Sequence, residues 1–280
     1  MQYFLQLPKQ ERIFKTDPPD NGMSYLGFER IVLSPSQEYS SNSSNYEMFL
    51  VVLSGKCDVS VRDREFKNIG TRKNVFQGKP FSVYIPPRSV FALRTSQQDS
   101  AEIALAKAKV DEETFIEPYL IKPEEVVSGK WGVSNYSRTY HQIAIDQNHP
   151  AIRLMIGETF TPSGNWSTYP PHRHENDNLP DESYLEEIYF YKTDHPKGFG
   201  LARHYTDSRD LNASYVVEDN TLHLIPKGYH TVVAAPGFTV YYLWFLAGPK
   251  RIQAPYVDPD LRFVDLATKM IKNIENNLSI

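Results

Sequence analysis

Short apolar runs broken by turn residues dominate the first hundred positions. Residues 26–33 (Leu-Gly-Phe-Glu-Arg-Ile-Val-Leu), 47–53 (Glu-Met-Phe-Leu-Val-Val-Leu), 57–61 (Cys-Asp-Val-Ser-Val) and 81–85 (Phe-Ser-Val-Tyr-Ile) read as strands, and 90–94 and 101–106 supply two more. Each is rich in β-branched and aromatic residues and too short for a helix. The serine- and asparagine-rich stretch 34–46 reads as loop, and residues 1–21 as a polar, proline-containing arm. Residues 110–140 mix acidic residues, prolines and glycines without a period, the pattern of a connector. Strand pattern resumes at 153–157, 187–191 and 199–205. Only near the end does a helical period appear, where Val264, Ala267, Ile271 and Ile274 fall near one stripe and Asp258 or Asp260 can cap the start. This predicts a helix packed on its own body or on a second copy in a homo-oligomer.

The strand pattern also repeats. Residues 33–41 (Leu-Ser-Pro-Ser-Gln-Glu-Tyr-Ser-Ser) match 160–168 (Phe-Thr-Pro-Ser-Gly-Asn-Trp-Ser-Thr), and Glu47-Met-Phe-Leu-Val matches Glu187-Ile-Tyr-Phe-Tyr. Ile85-Pro-Pro-Arg-Ser-Val90 matches Ile225-Pro-Lys-Gly-Tyr-His230, and both Glu47 to Val90 and Glu187 to His230 span 43 positions. Two copies of one β unit follow. The expected fold class is therefore all-β, a pair of barrels with a short C-terminal helix, divided as residues 1–125 and 126–280.

Composition narrows the partners. The chain has 280 residues, 40% hydrophobic, with a formal net charge of −4, and no basic run recommends nucleic acid or a membrane surface as partner. The single cysteine, Cys57, cannot form an internal disulfide, and Met1-Gln-Tyr-Phe-Leu lacks the basic start and apolar core of a signal peptide. A cytoplasmic protein is expected.

The second copy carries the residues suited to chemistry. Tyr169-Pro-Pro-His172-Arg-His174 places two histidines at i and i+2, which share a face in an extended chain. Period two in the next run puts Glu187, Tyr189 and Tyr191 on one face and Glu186 on the other, and His230 follows a Pro-x-Gly turn. His172, His174, Glu187 and His230 are the expected ligands of one divalent ion, zinc first, with manganese, iron or nickel also suited, and with positions open for water or substrate. Glu186 is the alternative carboxylate. The first copy lacks all three histidines, so chemistry is assigned to the second.

This arrangement resembles the two motifs of the cupins, and the duplication resembles a bicupin of two double-stranded β-helix (jelly-roll) barrels. More closely, residues 164–174, Leu185-Glu-Glu-Ile-Tyr, Gly198-Phe-Gly, Tyr205-Thr206, Pro226-Lys-Gly-Tyr-His230 and Ala234-Ala-Pro-Gly237 look like the 5-deoxy-glucuronate isomerases of inositol catabolism. The 5-keto-4-deoxyuronate isomerases of pectin breakdown share the motif but less of the rest. The resemblance implies an aldose–ketose isomerase that converts 5-deoxy-D-glucuronate, a small sugar acid, to 5-dehydro-2-deoxy-D-gluconate. Glu175, Tyr189, Tyr191 and Tyr205 are then candidates for proton transfer, and Arg153 and Arg203 for binding the substrate carboxylate. A cupin oxygenase and a non-catalytic sugar-acid-binding cupin are the other readings of the same ligands.

Overall fold

The computed structural model describes residues 1–8, 10–111, 114–145 and 147–278, the last four of these through their backbone alone. Among the described residues, four antiparallel sheets form two halves. In the first half, a sheet ordered Tyr119–Ile121, Ser82–Ile85, Tyr46–Gly55, Ala101–Lys109, Leu26–Leu33, Ile13–Thr16 faces one ordered Glu38–Asn42, Val90–Arg94, Cys57–Val61, Arg64–Ile69. In the second, the order Phe4–Gln6, Thr221–Ile225, Glu186–Thr193, Val240–Ala247, Met155–Thr161, Arg138–Ala144, Val127–Trp131 faces Asn212–Val217, Gly200–Tyr205, Tyr229–Ala234, Trp166–Arg173, Tyr256–Val257.

Alternation along the strands divides the core into three. Met48, Leu50 and Val52 point into the first barrel with Val59, Phe91 and Leu93. Tyr189, Tyr191, Tyr242 and Trp244 point into the second with Ala202 and Val232. The intervening residues of the same strands, Phe49, Val51, Ile188, Phe190, Leu243 and Phe245, meet in a seam between the halves. These large sheets are therefore buried on both faces, which is why Val240–Ala247 (Val-Tyr-Tyr-Leu-Trp-Phe-Leu-Ala) has no polar face. Each fully buried large side chain contributes roughly 1.5–3 kcal/mol, so the seam fixes one half against the other.

Several expectations need revision. Inside the supposed loop 34–46, Glu38–Asn42 is a strand with alternating exposure, paired edge-on with Val90–Arg94. An edge strand needs one backbone partner rather than an apolar face, so composition hid it. Within the aperiodic connector, Tyr119–Ile121 joins the first half and Val127–Trp131 the second. The N-terminal arm splits: Ile13–Thr16 pairs in the first half, but Phe4–Gln6 pairs with Thr221–Ile225 of the second, outside the half to which residues 1–125 assigned it.

The repeat is also offset by one from its sequence alignment. Met48 lies opposite Ile85 as Glu187 lies opposite Ile225, so Met48 is the register counterpart of Glu187, and Glu47 that of Glu186. Likewise Val90 is 63% exposed, and it is Phe91 that points inward where the second half has His230. The helix forms at Phe263–Leu278 after a 3-10 turn in which the Asp258 carboxylate accepts from the Asp260 amide at 3.0 Å. It buries Val264, but Ile274 of the expected stripe is exposed, as are Phe263, Leu266 and Met270. No described helix is long and apolar enough to cross a membrane.

Candidate metal centre

Three strands and one strand end bring the ligand set together. His172 lies opposite His230 in the pairing of Trp166–Arg173 with Tyr229–Ala234, where the register jumps between Ser167 and His172. That irregularity places His172 beside His230 and carries the chain out so that His174 turns in from just past the strand. Glu187 comes from the facing sheet, on the same face as Tyr189. The ligand atoms of His172, His174, Glu187 and His230 all lie within 4.8 Å of one another. Glu186 points the other way, into the seam, where its carboxylate accepts from the amides of Ser24, Tyr25 and Leu26 at 2.6, 2.8 and 3.2 Å. Strand parity therefore selects Glu187.

Hydrogen bonding fixes which nitrogen each ring presents. His174 Nδ1 lies 2.5 Å from the Leu185 carbonyl and His230 Nδ1 lies 3.3 Å from that of Gly228. A carbonyl only accepts, so each Nδ1 carries a proton and Nε2 is the nitrogen each ring turns to the centre, able to ligate an ion when it carries none. Those Nε2 atoms stand 3.1 and 3.0 Å from Glu187 Oε2. Acceptors so close need a positive charge between them, and His230 Nε2 is buried without a hydrogen-bond partner. Nitrogen and oxygen ligands about 2.1 Å from one ion would lie roughly 3 to 4 Å apart, so the donor set fits a divalent cation. Burial works to raise the Glu187 pKa, but hydrogen bonds and charge from His174 and His230 in their Nε2-protonated forms outweigh it and hold the carboxyl at about 2. Burial, with His230 and His174 alongside, pushes His172 well below the ordinary imidazole range. Burial works to lower the His174 pKa, but its hydrogen bond and charge pairing with Glu187 and its bond to Leu185 outweigh it and raise it; an ion taken up here would displace the Nε2 proton and be held by three imidazoles and one carboxylate.

A cavity of about 380 Å³ opens beside the cluster, within the range of small-molecule sites. His172, His174, Glu187 and Tyr189 form its floor, Tyr242 and Trp244 one wall, and Arg138 with Trp131 another. Asp265 and Thr268 of the C-terminal helix also line it, tied by Thr268 to the Tyr136 hydroxyl at 2.9 Å.

The other sequence candidates fare differently. Tyr189 lines the cavity, whereas Tyr191 is fully buried beyond it in the barrel interior. Tyr205 packs on the outer side, donating to Asp258 at 2.6 Å beneath the guanidinium groups of Arg203 and Arg209. Arg203 is itself exposed on that outer face, since Ala202 and His204 are the residues of its strand that point inward. Glu175 accepts from the Gly228 amide at 2.7 Å and pairs with Arg173, which braces the loop before His230 rather than entering the cavity. Arg153 sits in the seam, over the Tyr25 ring and bonded to the Gly248 carbonyl. Sequence reasoning passed over Arg138, which lay in the aperiodic connector. It also passed over the buried pair His204 and His223, bonded ring to ring at 3.0 Å.

Fold and donor set together define a two-barrel cupin whose second barrel carries a three-histidine, one-glutamate centre. Its architecture is shared with oxalate decarboxylases, including one from Lactobacillus farciminis at a TM-score of 0.64 and 10% identity over 92% of this chain and 88% of that one. The chain belongs to the KduI/IolB family, which it matches over residues 4–264. It is 39% identical over 255 residues to the 5-deoxy-glucuronate isomerase of Geobacillus kaustophilus (strain HTA426), covering 90% of this chain and 91% of that one. To the enzyme of the same name from Bacillus subtilis (strain 168) it is 35% identical over 267 residues, 92% and 97% of the two chains. An IolB-like protein from Salmonella typhimurium LT2 superposes with a TM-score of 0.88 at 30% identity, covering 95% of this chain and all of that one.

Proposed function

We propose that this chain is a metal-dependent sugar-acid isomerase that converts the aldose 5-deoxy-D-glucuronate to the 2-ketose 5-dehydro-2-deoxy-D-gluconate. The observation that carries the reading is the convergence of His172, His174, Glu187 and His230 at the floor of an open cavity, in a chain similar along nearly its whole length to isomerases of that name. A zinc ion is the first expectation, with manganese, iron or nickel as alternatives for the same ligands.

Isomerisation moves a proton from C2 to C1 through an enediolate, so the site must hold two vicinal oxygens and the charge that develops on them. A divalent ion held by the three imidazoles and Glu187 would supply Lewis acidity for that charge. The protein's own part is positional. Tyr189 faces the cavity with its phenol pKa pushed well up by burial and by the Glu187 charge beside it. It therefore stays protonated and serves as a donor to a sugar oxygen rather than as a base. Tyr242, held by Ser167 at 2.5 Å, and Trp244, whose indole donates to Thr159 at 3.0 Å, present a rigid face for the sugar ring.

A cytoplasmic site of action is supported by the single buried, unpaired cysteine. The ligand motif also resembles that of the 5-keto-4-deoxyuronate isomerases, so 5-keto-4-deoxyuronate isomerisation is the other reading. Incubating the metal-loaded protein with 5-deoxy-D-glucuronate and with 4-deoxy-5-ketouronate, and following aldehyde and ketone signals by NMR, separates them. Conversion of neither sugar would overturn the proposal.

A further inference from the structure

Many of the buried or half-buried cations among the described residues are matched to carboxylates. Arg72 pairs with Glu158, Arg30 and Lys192 with Glu102, Lys107 with Asp17, and Arg173 with Glu175, Glu182 and Asp207. Arg138 has no carboxylate within ion-pair distance among the described residues. Its Nη1 reaches only the Tyr136 carbonyl, at 3.4 Å, and its buried Nε has no partner. Burial lowers its pKa, as expected for a cation short of counter-charge, although Tyr242 and Tyr189 act in the opposite direction. Leaving a largely buried guanidinium without an anion is costly, and the group is held there by construction. It stacks on Trp131 at 5.6 Å, and Gly132, at φ +75°, leaves the space it occupies: a Cβ there would stand 2.9 Å from Nη1.

Arg138 also lines the same cavity as His172, His174 and Glu187, and it is the one arginine or lysine among the described lining residues. A divalent ion with Glu187 leaves one positive charge and Arg138 adds a second, against which the lining sets one further carboxylate, Asp265. A sugar acid matches both, with its carboxylate at one end and the developing enediolate at the other. Resting on the isomerase reading of this cavity, we propose that Arg138 is the anchor for the substrate carboxylate and thereby the residue that selects uronates over neutral aldoses. Neither Arg153 nor Arg203 fills that role, since the first lies in the seam and the second on the outer surface.

The test uses the metal-loaded protein, wild type and with Arg138→Met or Arg138→Lys, folding being checked by thermal melting. Three ligands are compared: 5-deoxy-glucuronate, its neutral C6-alcohol analogue 5-deoxyglucose, and the unreactive acid made by reducing the substrate at C1. Calorimetry should show Arg138→Met binding the unreactive acid on the order of 10- to 100-fold more weakly than wild type, with a matching rise in KM for the substrate. Arg138→Lys should recover part of this, because an ammonium keeps the charge but not the fork. Turnover of the neutral analogue should fall far less in Arg138→Met than turnover of the acid. Unchanged binding of the unreactive acid, or equal losses on the acid and the neutral sugar, would overturn the assignment. A wild type that binds the acid but converts no 5-deoxy-glucuronate would instead sink the isomerase reading, and the binding comparison would still decide Arg138.

Discussion

Glu47 and Glu186 hold equivalent places in the two halves, and each carboxylate crosses the seam to accept hydrogen bonds from three successive backbone amides of the other half. Glu47 takes those of Ile152, Arg153 and Leu154 at 2.7, 2.5 and 2.7 Å, with a fourth bond from the Tyr84 hydroxyl at 2.9 Å. Glu186 takes those of Ser24, Tyr25 and Leu26. The pseudo-symmetric pair thus satisfies six backbone donors, three of them fully buried.

Replacing Glu47 with Ala should therefore destabilise the whole protein, because three amides and a phenol lose their acceptor together. With each of the four groups costing about 1–3 kcal/mol when left unsatisfied, a loss of about 4 kcal/mol or more and a fall in Tm of several degrees are expected. Chemical denaturation measures the loss. Metal content per folded chain should stay at the wild-type value, since Glu47 lies in the half without the centre.

How far the sequence showed this can be traced residue by residue. The strands 26–33, 57–61 and 90–94 were legible to the residue, because alternation and turn chemistry act locally. His172, His174, Glu187 and His230 were legible because i, i+2 spacing and strand parity dictate a shared face. What alignment by similarity missed was the offset that equates Met48 with Glu187, since a glutamate opening a strand looks alike whether it faces the seam or the barrel. Arg138 was hidden for a different reason. Its partners Trp131, Gly132 and Tyr136 are brought around it by a short irregular turn, and tertiary pairing with Met155–Thr161, not any period, makes its strand.

A second seam contact has the opposite energetic character. Arg72 and Glu158, whose side chains are 1% and 0% exposed, form a two-pronged pair at 2.6 and 3.1 Å, to which the Tyr241 hydroxyl donates at 2.8 Å. Glu158→Gln leaves a buried guanidinium uncompensated and should cost about 3–5 kcal/mol in denaturation experiments. The double replacement Arg72→Met with Glu158→Met removes both charges and should recover most of that loss. Failure to recover would mean that the pair positions the halves beyond its charge balance.

Cys57 should be unreactive in the native protein. It is 3% exposed, and burial with the Asp58 charge nearby pushes its thiol up to about 12. The sign is that of an acid whose charged form is disfavoured, so thiolate is scarce near pH 8, where an ordinary cysteine is already partly ionised. A thiol reagent such as 5,5′-dithiobis(2-nitrobenzoate) should release no colour from folded protein at pH 8 and one equivalent after unfolding in guanidinium. Fast labelling of the native state would contradict this placement.

The adjacent carboxylates Glu186 and Glu187 give the sharpest test of the centre, because one strand turns them to opposite faces. Glu187→Gln removes the anionic ligand, so bound metal, measured by plasma mass spectrometry on the purified protein, should fall well below one equivalent, and isomerase activity should be lost. The seam is untouched, and stability should match that of wild-type protein stripped with a chelator. Glu186→Gln should do the reverse. Its amide nitrogen would face backbone N–H groups that now meet carboxylate oxygens, costing about 1–3 kcal/mol, while metal content per folded chain stays near one. His172→Ala, His174→Ala and His230→Ala should each follow Glu187→Gln, and stripping wild type with a chelator should lower its Tm in proportion to the affinity lost. If Glu186→Gln lost the metal and Glu187→Gln kept it, the ligand assignment would be reversed and the parity argument with it.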